Sequence, residues 1–233
     1  MIMIRGAMTL LGVALGLAIA AGPAWAQERA GEATRTQQNA FQWATFSPDR
    51  LATGDEIYRD ADVYTTAYGS LELSLDDGSV LTLGPRTELK IDEFVFNPET
   101  QDGTSSLSIG RGILRMASGR MKSENVRIGT PTATIGIRGT ELVLDANTPG
   151  RLQVWSTEGT VTVAPNGTDE VYVLNAPAFA DCGAELCEIR DSPVIPYFFP
   201  IAPRDPANPY NRVDKTPIFE DDDNISHGSP GNT

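Results

Sequence analysis

The sequence predicts an all-β protein: a β-solenoid-like or sandwich-like stack of short strands, with a Pro-rich irregular C-terminal tail. Three observations predict it. Apolar residues recur at every second position in short runs, as in Leu71-Glu72-Leu73-Ser74-Leu75, which is the period of a half-buried strand. Gly, Pro, Asp and Asn break these runs at intervals of roughly 8–12 residues, the spacing of sandwiches, barrels and solenoids. Between Leu51 and Leu174 no segment of ten or more residues carries a sustained 3.6-residue period. The pattern alone does not choose among the β architectures.

The chain begins Met1-Ile2-Met3-Ile4-Arg5, and an apolar run from about Ala7 to Ala21 closes on Gly22-Pro23-Ala24-Trp25-Ala26. A charged start, a short apolar core and a small-x-small site describe a secretory signal peptide, cut between Ala26 and Gln27. The run is short for a bilayer span, which needs about 20 apolar residues. Residues 27–40 are polar and alanine-rich without a sustained period, a weakly structured approach through Phe41-Gln42-Trp43 follows, and residues 27–45 together read as a flexible leader. Residues 46–190 form the expected β domain. In it, Leu71–Leu75 leads into Asp76-Asp77-Gly78-Ser79, where Asp-Gly is the strongest short hairpin signal. Val80-Leu81-Thr82-Leu83 resumes the strand until Gly84-Pro85 breaks it.

Further runs follow in the same style. They are Thr87 to Ile91, Ser106 to Ile109, Ile113 to Met116, Val126 to Ile128, Thr134 to Ile137 and Glu141 to Leu144. Leu152 to Trp155, Thr160 to Val163 and Val171 to Leu174 complete the set. Cys182 and Cys187 come next, the two cysteines of the chain. An even, closely spaced pair in an oxidising compartment reads as a disulfide across the mouth of a short hairpin. Closing so small a loop stabilises it by roughly 2 kcal/mol on the chain-entropy account. Residues 191–233 form a Pro-rich acidic tail, with Pro193, Pro196, Pro200, Pro203, Pro206, Pro209 and Pro217. Proline at that density removes backbone donors and keeps a chain extended. Tyr197-Phe198-Phe199 interrupts the tail, is too apolar to be left in water, and is expected to pack back on the β domain or else to serve as a partner-binding motif.

Composition narrows the function. Eighteen Lys and Arg stand against 31 Asp and Glu, a net charge of −13, and loss of Arg5 with the signal leaves the mature chain one unit more negative. Nucleic-acid affinity rests on cations that neutralise phosphates, so no nucleic-acid partner is expected. Nor is stable membrane insertion expected after signal cleavage, since no second apolar stretch approaches spanning length. The expected location is the periplasm or the medium.

Catalytic equipment is thin. The one histidine, His227, lies in the tail, leaving a Ser-His-Asp arrangement without support. Asp76 and Asp77 sit in a turn that wants Asp for its backbone geometry. Glu220-Asp221-Asp222-Asp223 lacks the ligand spacing and central glycine of a calcium loop. No catalytic residue, cofactor or metal is expected. Arg138, before Gly139-Thr140, can lie along the sheet and satisfy carbonyls or a carboxylate, or else contact an anionic ligand or a partner. Trp155 is the other candidate contact.

These motifs, taken in order, resemble a FecR domain. Gly54-Asp55-Glu56-Ile57, Tyr64 to Leu73, Leu75-Asp76-Asp77-Gly78-Ser79 and Leu81 to Pro85 are similar to its opening. Gly112-Ile113-Leu114, Val126 to Leu142 and Glu158 to Val163 are similar to its later part, and the likeness covers about residues 50–165. The resemblance implies a solenoid-like extracytoplasmic β domain, found in well-known members within membrane-anchored sigma-factor regulators. Only a few residues precede the apolar run, so the expectation is the stand-alone exported type, lacking the cytoplasmic anti-sigma segment. The family offers no catalytic residues to carry over. The expected function is therefore a non-catalytic binding or sensing module, an adaptor or scaffold for a protein partner or envelope polymer. The competing expectation is a carbohydrate-binding or polysaccharide-associated protein that stacks sugars on Trp43, Trp155, Tyr64 and Tyr68.

Overall fold

The computed structural model describes residues 28–190 apart from Gln38, Thr45 and Phe46. The expected signal peptide with its Ala26–Gln27 junction, and the expected tail, lie outside the described residues. The chain is all-β: sixteen strands, numbered in chain order, form one curled sheet, and the only helical element among the described residues is a 3-10 turn at Ser123–Asn125.

The sheet folds back on itself so that two halves share one core. The first half runs β3 (Asp49–Arg50), β2 (Ala40–Trp43), β5 (Asp62–Thr65), β8 (Glu88–Phe96), β9 (Gly103–Arg111) and β11 (Val126–Gly129). It continues through the start of β12 (Ala133–Asp145) and the end of β13 (Leu152–Pro165) to β14 (Tyr172–Asn175). The second half runs β4 (Glu56–Tyr58), β1 (Arg29–Gln37), β6 (Ser70–Leu75), β7 (Val80–Leu83) and β10 (Ile113–Ala117). From there it passes through the end of β12 and the start of β13 to β15 (Ala178–Cys182) and β16 (Cys187–Arg190). Pairing is antiparallel except between β9 and β11.

Two long strands turn the corner between the halves, which is how a strand passes from one layer to the next. In β12 the core-facing residues are Ala133, Ile135 and Ile137, then Leu142 and Leu144. In β13 they are Leu152 and Val154, then Val161 and Val163. Both strands therefore change parity, odd to even and even to odd. Side chains alternate faces strictly along a strand, so an inserted residue is needed to keep both arms on one core. The β12–β13 register shifts between Arg138 and Leu142, at the corner. There Gly139 and Gly159 take φ of 54° and 68°. A β-carbon on Gly159 would lie 2.7 Å from the Arg138 carbonyl oxygen and closer still to that of Gly139. The motifs Arg138-Gly139-Thr140 and Glu158-Gly159 are thus one structural device.

Polar stitching holds the halves together. The buried Thr87 hydroxyl accepts the Ile113 N–H at 3.0 Å and donates to the Ile113 carbonyl at 3.1 Å. The Thr65 hydroxyl donates to the Gly84 carbonyl at 2.6 Å and accepts the Thr87 N–H at 3.0 Å. In the Asp76–Ser79 turn the Asp77 carboxylate accepts the Ser79 N–H at 2.9 Å and the Ser79 hydroxyl at 2.8 Å. The Ser79 oxygen accepts the Gly119 N–H at 2.9 Å, and the Asp77 carbonyl accepts the Arg120 N–H at 2.9 Å. Asp77 is a turn residue, as its place in the sequence suggested, and it also anchors the segment after β10.

The expected leader needs correcting. Most of residues 27–45 is strand: β1 lies between β4 and β6, with Ala30 and Ala33 fully buried. The alternation that marks a strand is interrupted by bulges at Arg29–Gly31 and Ala33–Arg35. Small residues are what fit there, because a β-carbon on Gly31 would meet the Leu75 backbone at 2.9 Å. The β domain therefore begins at β1, ahead of residue 46.

Candidate functional site

An aromatic and charged patch occupies the outer face of the first half. In β2, Ala40 and Gln42 face inward while Phe41 and Trp43 face out. Gln42 fixes the strand: its Nε2 donates to the Glu56 carbonyl at 3.2 Å and its Oε1 accepts the Tyr58 N–H at 3.0 Å. In β5, Val63 and Thr65 are buried, which turns Asp62 and Tyr64 outward. Strand register then lines up a transverse row, Arg50–Phe41–Tyr64–Glu88–Arg111. The Phe41 and Tyr64 rings stack with centroids 5.2 Å apart and planes at 15°. Arg111 donates to Glu88 at 2.7 Å. The neighbouring row is Trp43–Asp62–Lys90–Ser108, with Trp43 49% exposed. Ser108 donates to Asp92 at 2.5 Å, and Lys90 stands 3.7 Å from the same carboxylate. The exposed Tyr68 is in the turn after β5, which is held beside β2 by a 3.0 Å hydrogen bond from the Thr66 N–H to the Asn39 carbonyl.

The structure thus brings together Trp43 and Tyr64, with Tyr68 on the adjoining turn, and adds Phe41, Arg50, Glu88 and Arg111, which sequence reasoning did not single out. The available signal was Phe41-Gln42-Trp43, an apolar–polar–apolar triplet too short to read as a strand by itself.

Trp155 is elsewhere. It lies on the outer face of the second half, 7% exposed, against Phe179 with ring centroids 4.9 Å apart. A buried ring is not an open contact, so it does not join Trp43 and Tyr64 in a sugar-stacking surface. Arg138 is exposed opposite Thr160 at the β12–β13 corner. Among the described residues, no ion pair or side-chain hydrogen bond to its guanidinium is formed. The corner is formed by Gly139, Thr140 and Gly159.

Cys182 and Cys187 are directly paired across the β15–β16 hairpin and joined by a disulfide. Beside them Arg151 donates to Asp181 at 2.7 Å, and that hydrogen bond holds the Asp181 carboxyl below the usual carboxylate range. Among the described residues no group of three or more His, Cys, Asp and Glu side chains is placed to hold a metal ion, and no helix is long and apolar enough to cross a membrane.

Comparison with known proteins bears on the central part of this fold. The family model described as FecR protein matches residues 61–162. That stretch is similar to a FecR domain. It begins just before β5 and ends within the second arm of β13, so it contains the whole glycine corner and the Asp77 turn. Strands β1 and β2 complete its sheet from outside the matched range. Two crystal structures of a candidate anti-sigma factor from Parabacteroides distasonis are similar at 15% identity, with TM-scores of 0.45 and 0.46. The overlap covers 56% of this chain and spans 59% of theirs; at that level the likeness settles neither fold nor function. No curated protein matches the chain.

Proposed function

We propose that the protein is an exported, non-catalytic binding and sensing module of the FecR type, which engages a protein partner through the outer face of β2, β5 and β8. The observation that carries this reading is the Arg50–Phe41–Tyr64–Glu88–Arg111 row with Trp43 beside it. Trp, Tyr and Arg are the side chains that dominate protein–protein affinity when a partner desolvates them. The periplasm or the medium is the proposed location. The Cys182–Cys187 disulfide supports it, because such bonds persist in oxidising compartments, as does the signal-like start of the sequence.

A glycan is the second reading, favoured by the clustering of Trp43, Tyr64 and Tyr68. Ring geometry favours the protein partner. Phe41 and Tyr64 stack on each other, so their adjoining faces are spent and they do not form a flat platform for a sugar ring.

Affinity capture from intact cells tests the proposal. The wild-type chain is expected to retain one dominant envelope protein. Trp43→Ala with Tyr64→Ala is expected to weaken that capture by roughly 30-fold, the loss of about 2 kcal/mol typical of a hot-spot residue. The melting temperature should move little, since neither side chain is in the core. Recovery of glycan without a specific protein would overturn the protein-partner reading and establish the second.

A further inference from the structure

The chain carries 31 Asp and Glu against 18 Lys and Arg, yet one part of its surface reverses that balance. It is the outer face of the first half beyond β8, on β9, β11, the first arm of β12, the second arm of β13 and β14. Core-facing residues on these strands are Leu107, Ile128, Ile135, Val161 and Leu174, so the alternate positions point outward. Register aligns Ser106–Arg127–Gly136–Thr162–Val173 in one row across this face. On one side lies the row Ser108–Gly129–Thr134–Ala164, and on the other Arg138–Thr160–Asn175. None of these residues is acidic. The carboxylate in the row of Arg127 is that of Glu93, two strands away at about 10 Å.

Arg127 and Arg138 are both exposed, and among the described residues neither guanidinium has an ion pair or a side-chain hydrogen bond. Arg59, Arg111, Arg115 and Arg151, by contrast, each hold a carboxylate. Arg138 is two residues beyond Gly136, the partner of Arg127, so the two side chains rise from diagonal neighbours about 7–8 Å apart. Gly136 puts no side chain between them, and a β-carbon there would stand 2.5 Å from the Thr162 hydroxyl.

We propose that this face binds an acidic polysaccharide, with Arg127 and Arg138 each taking a carboxylate of the polymer. A guanidinium grips a carboxylate through two parallel N–H···O bonds. The hydroxyls of Ser106, Thr134 and Thr162 beside the pair can both donate to and accept from sugar hydroxyls. The same chemistry disfavours other anionic partners. Nucleic acids and anionic membranes are held by many cations acting together, whereas this face offers two, on a chain of net charge −13. A protein interface is anchored by aromatic and large apolar side chains, and Val173 is the largest apolar residue in the three rows. A linear polymer needs no such anchor, because it gathers several weak contacts along an open face. The site is separate from the β2–β5–β8 patch and does not rest on the partner proposed for it.

Titration of the exported chain with polygalacturonate and with alginate, followed by calorimetry at low and high salt, tests this. Wild type is expected to bind at least one of the two polyuronates, more weakly as salt rises. Arg127→Gln with Arg138→Gln is expected to weaken that binding roughly tenfold or more, with the melting temperature little changed. Trp43→Ala with Tyr64→Ala is expected to leave it unaltered. Thr134→Asp, which sets a carboxylate diagonal to Arg127, is expected to lose binding while both arginines stay in place. Failure to bind either polyuronate, equal binding of their carboxyl-reduced forms, or full binding by the double glutamine variant would overturn the proposal. Equal binding of polyglutamate would also overturn it, assigning the face to an acidic peptide instead.

Discussion

Gly159→Ala is expected to lower the melting temperature by about 10 °C, while Gly139→Ala, at the facing position of the same corner, lowers it by only about 3 °C. Both glycines have positive φ, so alanine at either position bears the left-handed penalty of about 1 kcal/mol. What separates them is space. Nothing lies within 4 Å of a β-carbon placed on Gly139. On Gly159 the same atom runs into the carbonyl oxygens of Arg138 and Gly139, which are backbone and can give way only if β12 and β13 part. Loss of ladder hydrogen bonds at the corner brings the total to roughly 3 kcal/mol or more. Urea or thermal unfolding of the two variants checks the ranking. Equal, small effects would mean that the strands cross between the halves without this close approach.

Asp77→Ala is expected to cost about 3 kcal/mol by a different route. Asp77 is 1% exposed, and its carboxylate accepts both the backbone N–H and the hydroxyl of Ser79. Ser79 is itself buried and accepts the Gly119 N–H. Alanine leaves a buried N–H without its partner, at about 1–3 kcal/mol, and frees the Ser79 hydroxyl that orients the contact to Gly119. The segment cannot settle inward, because a β-carbon on Gly119 would already stand 2.6 Å from the Asp77 carbonyl oxygen. Arg120, over the Phe96 ring at 5.5 Å and bonded through its N–H to the Asp77 carbonyl, loses its anchor with the turn. Asp77→Asn keeps one acceptor for the Ser79 N–H and should fall between wild type and alanine in unfolding free energy. An Asn variant as unstable as alanine would show that the hydroxyl contact, not the N–H contact, carries the effect.

Local chemistry was legible in the sequence and long-range register was not. The Asp76–Ser79 turn, the breaks at Gly84-Pro85 and the Cys182–Cys187 hairpin depend on neighbouring residues, and they are where the spacing put them. Thr134–Ile137 and Glu141–Leu144 read as two strands because the apolar parity changes between them. They are one strand with a bulge, and the parity change is what keeps both arms on the core. β1 was missed because Ala30, Gly31 and Ala33 are too small to register as a hydrophobic stripe, although closeness to β4 and β6 is what selects them. The aromatic patch depends on β2 pairing β5 and β5 pairing β8, contacts between separate segments that no short motif encodes. Trp155 shows the reverse. Alternation correctly turns it away from the core residues Leu152 and Val154, but Ile113, Val143 and Phe179 pack with it on the outer face, so an outward residue is buried.

The central claim is that the β2–β5–β8 face meets a protein partner. Photo-crosslinking residues placed singly at Trp43, Tyr64, Arg138 and Val173 in the exported chain test it most directly, in intact cells with adducts identified by mass spectrometry. Val173 is an exposed position on β14, the strand that closes the far end of the same half. The account predicts one shared envelope-protein adduct from positions 43 and 64 and none from 138 or 173. The same adduct from 138 or 173, with positions 43 and 64 silent, would contradict it.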